Sequence, residues 1–338
     1  MKKPTAVFIG TEEAINKAYS ENTKKKLFKN LDFIAECIDK DRFINGNINK
    51  DELRKVEYIF STWGMATLTA EEVKNIFPSL KAVFYAAGTV KYFAKPFTDN
   101  GVRIFSAWGA NAVPVAEVTV SEIILANKGF FGTLHNGGNN MWAERDLLNA
   151  YPGNYNTNIG IIGAGMIGKL VIKMLKAYKL NVFVFDKFLS AEEIKALGGT
   201  KVETPEELFT KCRVISNHLA NNKQTEGILN KACFDKMGKN AVFINTGRGQ
   251  QVVEKDLICA LKAEPGRAAV LDVTYPEPPE KDSELYTLKN VFLTPHLAGS
   301  AGNEIMRMGE YMAHEFELFS DGLQTNYEVT EKMLETMA

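Results

Sequence analysis

The sequence predicts two doubly wound α/β domains, each a parallel sheet with helices on both faces, and three observations carry that expectation. At 338 residues the chain exceeds the ~250 to 300 at which a single core stops growing. Short apolar runs alternate with helical patterns through both halves, the signature of strands joined by crossover helices. Near the middle, Asn158-Ile-Gly-Ile-Ile-Gly-Ala-Gly-Met-Ile-Gly-Lys-Leu-Val passes from a buried strand (Ile159 to Ile162) through Gly163-x-Gly165-x-x-Gly168 into an apolar-periodic helix (Met166 to Tyr178).

Each glycine of that turn has a mechanical reason. Gly163 makes the tight turn, Gly165 lets backbone approach a pyrophosphate, and Gly168 lets helix and strand pack closely. The phosphates would sit on the unpaired N–H groups at the helix start. A second strand, Val182 to Phe185, ends in Asp186, placed ~20 residues on to accept hydrogen bonds from ribose hydroxyls. Strand, turn, helix and terminal acid together imply a Rossmann-like dinucleotide unit.

The elements follow in order. Ala6 to Gly10 reads as a strand and Thr11 as the cap of the helix after it. A less regular element spans Asp32 to Ile38. Asp51 to Val56 reads as helix, Tyr58 to Ser61 as strand, Thr69 to Phe77 as a capped helix, Lys81 to Ala86 and Val102 to Ser106 as strands. The ends of these strands carry Trp63-Gly64, Gly88-Thr89 and Trp108-Gly109, where open α/β sheets bind ligands. Val113 to Lys128 reads as a long helix with Pro114 in its first turn, entering the second domain. Gly129 to Asn158 is irregular and rich in Gly and Asn. After the glycine unit come helices at Ser190 to Leu197, Pro205 to Cys212 and Lys255 to Ala263, with strands at Val214 to Leu219, Ala241 to Thr246, Ala268 to Val273 and Val291 to Thr294. Gly302 to Phe319 is an amphipathic helix that can fold back onto the first domain. The expected division is 1–112 plus 303–338 as a flavodoxin-like substrate-binding domain and 113–302 as the dinucleotide domain, with the active site in the cleft between them.

Composition narrows the function. Forty basic residues against 41 acidic ones leave a net charge of −1, and no basic stripe suited to nucleic acid is visible. No apolar run approaches the ~18 residues of a membrane span, and the N-terminal run is too short for a signal peptide. Cys37, Cys212, Cys233 and Cys259 are single, without metal-type spacing, and read as buried, reduced thiols of a cytoplasmic protein that holds no metal.

Three polar residues follow strands of the second domain: Arg248 in Asn-Thr-Gly-Arg-Gly, Glu277 in Asp-Val-Thr-Tyr-Pro-Glu-Pro-Pro, and His296 in Leu-Thr-Pro-His-Leu-Ala-Gly-Ser. Singly, an Arg after a strand is most often a surface ion pair and a lone His is packing. Together they suit hydride transfer to a 2-oxo acid. Arg248 offers a planar fork for a carboxylate and a positive charge for the carbonyl oxygen. His296 is the proton donor. Glu277 beside the ring favours its protonated form and fixes its tautomer.

With these residues in place, the chain resembles the NAD-dependent D-isomer-specific 2-hydroxyacid dehydrogenases over nearly its whole length. The resemblance implies Arg248 as substrate binder, Glu277 as partner of the histidine and His296 as acid/base. It implies NAD contacts from Gly163, Gly165, Met166, Ile167, Gly168, Asp186, Leu219, Ala220, Thr225, Thr246, Gly247, Arg248 and Asp272. It assigns the substrate carboxylate to the backbone of Gly88, Thr89 and Val90, and it implies a homodimer. Two positions depart from the family's pattern: Ala220-Asn221-Asn222 stands for its usual Pro-Leu-Thr, and Phe93 lies near a usual Asp. Formate dehydrogenases of the group carry Gln in place of Glu277, which disfavours that activity here. The alternative reading is a non-catalytic NAD-binding regulator of the corepressor type. A phosphoglycerate dehydrogenase with a regulatory domain is a third, for which the chain leaves no room. Trp63, Met65, Thr89, Tyr92 and Trp108, with Lys91 as the basic residue among them, suggest a 2-oxo acid with an uncharged or sugar-like tail.

Overall fold

The structure, a computed structural model, describes residues 3–34, 37–46, 48–135 and 143–336. The chain separates into two compact units, Met1–Asn111 with Ser300–Met337, and Ala112–Gly299.

In the first unit, β1 (Thr5–Ile9) is followed by α1 (Glu12–Ala18), α2 (Glu21–Asn30), β2 (Asp32–Phe33), α3 (Lys40–Ile44), α4 (Lys50–Leu53), β3 (Val56–Ser61), α5 (Ala70–Ile76), β4 (Ala82–Tyr85), α6 (Ala94–Thr98) and β5 (Arg103–Ser106). The sheet runs β2-β1-β3-β4-β5 and every pair is parallel. Alternate residues face opposite sides, and both sides are buried, so the strands read as continuous apolar runs. Val7, Ile9, Ile59, Val83 and Ile104 fill one face. The other is a ladder of rings across neighbouring strands: Phe60 stacks on Phe84 at 5.1 Å, and Phe84 on Phe105 at 4.8 Å. Phe316 meets Phe84 edge-on at 5.7 Å.

Two helix starts follow the capping expectation. Thr11 Oγ1 accepts from the N–H of Ala14, and Thr69 with Glu72 forms a reciprocal capping box on α5. The helix expected to Val56 stops at Leu53, because Val56 is fully buried and pairs with Thr5 as the first residue of β3.

The second unit contains most of α7 (Trp108–Asn127), then α8 (Phe130–His135), a 3₁₀ segment (Ala143–Ala150), β6 (Tyr155–Ile162), α9 (Met166–Leu175), β7 (Lys179–Phe185), α10 (Ala191–Leu197), β8 (Thr200–Val202), α11 (Pro205–Lys211), β9 (Val214–Asn217), α12 (Lys231–Phe234), β10 (Val242–Asn245), α13 (Glu254–Ala263), β11 (Ala268–Leu271) and β12 (Val291–Leu293). Helix α7 begins at Trp108 rather than Val113. Asn111 N already donates to Ala107 O at 3.0 Å, so Pro114 falls inside the helix instead of in its first turn. By length and hydropathy α7 could cross a bilayer, but its Ala116, Val120, Ile123 and Ala126 pack into this unit's core. Part of the Gly/Asn-rich stretch, 136–142, lies outside the described residues.

The second sheet runs β12-β11-β10-β9-β6-β7-β8, again parallel. The chain moves outward from β6 to β8, then returns to lay β9 on the other side of β6. That reversal is the switch point at which such sheets open a crevice, and the glycine turn leaves β6 there. Helix α14 (Glu304–Ser320) packs in the first unit, where a Cβ on Gly309 would come within 2.1 Å of Ala18 O, so only glycine allows the approach. A last helix, α15 (Glu331–Thr336), follows. Cys212 and Cys233 are buried as expected and Cys37 is half-buried, but Cys259 is exposed. Its neighbours Leu257, Ala260 and Leu261 take the inward side of α13.

Candidate functional site

The turn after β6 has the geometry its glycines imply. Gly163 sits at φ +86°, and a Cβ there would lie 2.9 Å from His218 O. A Cβ on Gly168 would lie 2.1 Å from Gly163 O, whereas one on Gly165 would meet nothing within 4 Å. The turn is closed on its packing side and open on the side a ligand would approach. Helices α1, α2, α5 and α10 have side-chain caps from Thr11, Ser20, Thr69 and Ser190. Helix α9 has Gly165 at its cap and no side-chain cap hydrogen bond. The N–H groups at its start, Met166 and Ile167 among them, are left to an outside acceptor such as a pyrophosphate.

Asp186 lies at the tip of β7 with both oxygens in use. Oδ2 accepts from Ala164 N at 2.8 Å, and Oδ1 from Phe188 N at 2.8 Å and Leu189 N at 3.0 Å. These bonds orient the carboxylate, and Oδ2, which accepts only one of them, keeps a lone pair for a ribose hydroxyl. Uncapped helix, open glycine and oriented acid fit a dinucleotide.

Arg248, Glu277 and His296 come from the loops after β10, β11 and β12. The His296 ring meets Glu277 Oε1 through Nδ1 at 2.6 Å. The carboxylate accepts from Nδ1, so the chemistry of the ring falls to Nε2. His296 adopts φ +52°, unusual for a residue with a side chain. Asp272 supplies the reason: its Oδ1 accepts from Thr294 Oγ1 at 2.6 Å and Leu297 N at 2.7 Å, and its Oδ2 from Ala298 N at 3.0 Å. Clamped on both sides, the loop turns the imidazole toward Glu277. Arg248 is largely buried and its Nη1 donates to Gly247 O at 2.7 Å. Burial pushes its guanidinium below the ordinary arginine value while the charge of Glu277 pulls it back up, so the three groups share one electrostatic environment.

A buried amide network supports this cluster, and sequence reading did not single it out. Asn217 Nδ2 donates to Asn245 Oδ1 at 3.0 Å and to Gln251 Oε1. Asn245 Oδ1 accepts from Gly247 N at 3.1 Å, while Gln251 Nε2 donates to Leu219 O at 2.8 Å and Ala220 O at 3.0 Å. The loop that carries Arg248 is thereby tied to the wall at Leu219 and Ala220. The only sequence signal was an amide closing each of two apolar strands. At the departure Ala220-Asn221-Asn222, side chains close the loop: Asn221 Nδ2 donates to Gln250 Oε1, Asn222 Oδ1 accepts from Gln224 N, and Thr225 Oγ1 donates to Ala220 O. The Thr246 hydroxyl is 3.0 Å from that of Thr119 on α7.

In the first unit, Gly88, Thr89 and Val90 follow β4. Ser106 Oγ donates to the carbonyls of Ala87 and Gly88 and sets the loop's course. Among the described residues, nothing accepts from the N–H groups of Gly88, Thr89 or Val90, which leaves three donors for an anion. Phe93, at the other departure, is fully buried and needs no polar partner. Trp63, Met65, Thr89 and Tyr92 line one pocket here. Trp108 does not; it packs edge-on against Tyr327 at 5.3 Å. Nor does Lys91, whose place as the basic residue is taken by Lys40.

The family model for the D-isomer specific 2-hydroxyacid dehydrogenase NAD binding domain matches residues 126–298. The chain belongs to this family. It is 30% identical to a D-3-phosphoglycerate dehydrogenase of Archaeoglobus fulgidus over 67% of this chain and 42% of that protein. It is 28% identical to a formate dehydrogenase of Chaetomium thermophilum over 84% and 79%. The chain spans about half the length of the first curated relatives it matches. In fold it is similar to a phosphoglycerate oxidoreductase from Rhizobium etli, with a TM-score of 0.80 at 19% identity over 98% of this chain and 100% of that one.

Within the NAD-binding unit, two titratable groups with buried polar atoms escaped the sequence reading because nothing local marks them. His218, next to Gly163, is enclosed; burial pushes it down to about 3, and it stays neutral. Glu122 lies one turn beyond Thr119 on α7, with Oε2 buried and without a hydrogen-bond partner among the described residues. Burial first, and the charge of Asp272 second, push Glu122 up to about 8. The unfolded chain releases that proton near 4.5, so across the interval the folded state binds more protons and stability falls as pH rises. Glu122→Gln should therefore raise stability at pH 8.5 by roughly 2 to 4 kcal/mol and change little at pH 4.5. Denaturant titrations of both proteins across that range test this; a difference independent of pH would remove Glu122 as its source.

Proposed function

We propose that the chain reduces small 2-oxo acids with NADH and, in reverse, oxidises D-2-hydroxy acids. The observation that carries the reading is the 2.6 Å contact of His296 with Glu277, in the electrostatic environment of Arg248. NAD, when bound, supplies or accepts the hydride. The guanidinium of Arg248 takes the substrate carboxylate and polarises the 2-oxo group. Nε2 of His296 gives its proton to the carbonyl oxygen during reduction and takes it back during oxidation. Glu277 keeps Nδ1 protonated and stabilises the charged ring in its task. The free N–H groups of Gly88, Thr89 and Val90 also serve as donors to the carboxylate.

The test is steady-state reduction of glyoxylate, pyruvate, bulkier aliphatic and aromatic 2-oxo acids, oxaloacetate and 3-phosphohydroxypyruvate with NADH. Turnover of at least one is expected. NADH binding without turnover of any would favour the corepressor-type regulator. Asp186 should also favour NADH over NADPH, by about 10²-fold in kcat/KM, through repulsion of a 2′-phosphate. Parallel kinetics with the two cofactors decide it, and equal efficiencies would count against that role.

We further propose a cytoplasmic homodimer. Leu125, Phe130, Leu147 and Leu148 are exposed around the end of α7, α8 and the 3₁₀ segment and offer apolar area to a second copy. Sedimentation at micromolar concentration tests the stoichiometry.

A further inference from the structure

Beyond the carboxyl ends of β3 and β4, the first unit encloses a pocket of about 360 Å³ lined by Lys40, Trp63, Met65, Tyr85, Thr89 and Tyr92. That is room for the tail of a small ligand. Its walls are aromatic and set. The Tyr85 and Tyr92 hydroxyls are 3.2 Å apart, with the rings nearly perpendicular at 71°. With the two phenols tied to each other, ring faces and edges form the recognition surface. Trp63 and Tyr92 stay 45% and 46% exposed, although this unit has aromatic cores that bury rings completely.

Among the described residues, the one charged side chain in the lining is Lys40, the first residue of α3. It is exposed and has no ion-pair partner among the described residues. Gly88 and Thr89 also line the pocket, so a substrate carboxylate held on their N–H groups would direct its tail along the aromatic wall. An ammonium group there, without an ion-pair partner among the described residues, favours an anion at the far end of that tail and disfavours a cation.

We infer that Lys40 is a specificity-determining residue, and that this pocket selects 2-oxo acids whose tail combines a flat apolar segment with a second, distal carboxylate. The inference rests on the 2-oxo acid reading and narrows it from the uncharged tail that the sequence suggested. Lys40 takes no part in hydride or proton transfer, so its removal should act on KM more than on kcat.

The experiment compares matched pairs that differ only in the distal group: 4-carboxyphenylpyruvate with phenylpyruvate, and 2-oxoglutarate with 2-oxopentanoate. The wild-type chain should have the higher kcat/KM for the carboxylated member of each pair. Lys40→Met should lower that value about tenfold, through KM, and leave the neutral members unchanged, while Lys40→Arg retains most of the preference. Isothermal titration of the same four compounds, with NADH present, reads the pocket independently of turnover. Equal or reversed preference in the wild type, or an equal loss for both members in Lys40→Met, overturns the role of Lys40. Carboxylate-selective binding that Lys40→Met abolishes, without reduction of any compound, supports Lys40 and overturns the reductase reading instead.

Discussion

His296→Ala should lower kcat for 2-oxo acid reduction by about 10²- to 10⁴-fold, the range for loss of a general acid, while NADH binding stays within about twofold. The two effects separate because the groups have separate supports. The imidazole is held by Glu277 and by the Asp272 clamp on its loop. The expected phosphate donors lie on the turn after β6. Alanine also relieves no packing, since the ring is about half-exposed. Glu277→Gln should cost less, because the amide oxygen still accepts from Nδ1 but its charge is gone. Stopped-flow reduction and NADH fluorescence titration on the same preparations measure both quantities. A His296→Ala chain with wild-type kcat would require another proton donor, and the reading built on this contact would fall.

Gly168→Ala should remove NADH binding altogether and destabilise the NAD-binding unit by about 1 to 3 kcal/mol or more. Its Cβ would stand 2.1 Å from Gly163 O, and backbone cannot swing aside as a flexible side chain can. Relief requires α9 to move away from β6, which carries the helix N-terminus off the turn. Gly165→Ala is the internal control: open space surrounds its Cβ, so the fold should hold. Any loss of NADH affinity there reports the ligand's approach and not packing. Thermal denaturation and NADH titration of both variants check the pair. Wild-type affinity in Gly168→Ala would show that the turn yields more readily than its contacts imply.

Local chemistry made much of this protein legible in the sequence. The glycine turn, the caps Thr11 and Thr69, the terminal Asp186 and the alternation of apolar runs with helical ones each depend on residues a few positions apart. Backbone geometry and hydrogen bonding at short range dictate the outcome at such positions, so reading them needs no knowledge of the rest of the fold. Val56 and Pro114 show where this fails. Val56 is claimed by its pairing with Thr5, and the helix containing Pro114 starts early through a hydrogen bond from Asn111 to Ala107.

Tertiary structure alone decided the meeting of residues far apart in the chain. Lys40 joins Trp63 and Tyr92 in one pocket, Glu122 comes within the field of Asp272, and Asn217 bonds Asn245 and Gln251. An amide, a carboxyl or a lysine carries no local mark of its future neighbours. What it does depends on the dielectric and partners that strand order creates, and those exist only once β9 has returned to the far side of β6 and α7 has packed against the sheet.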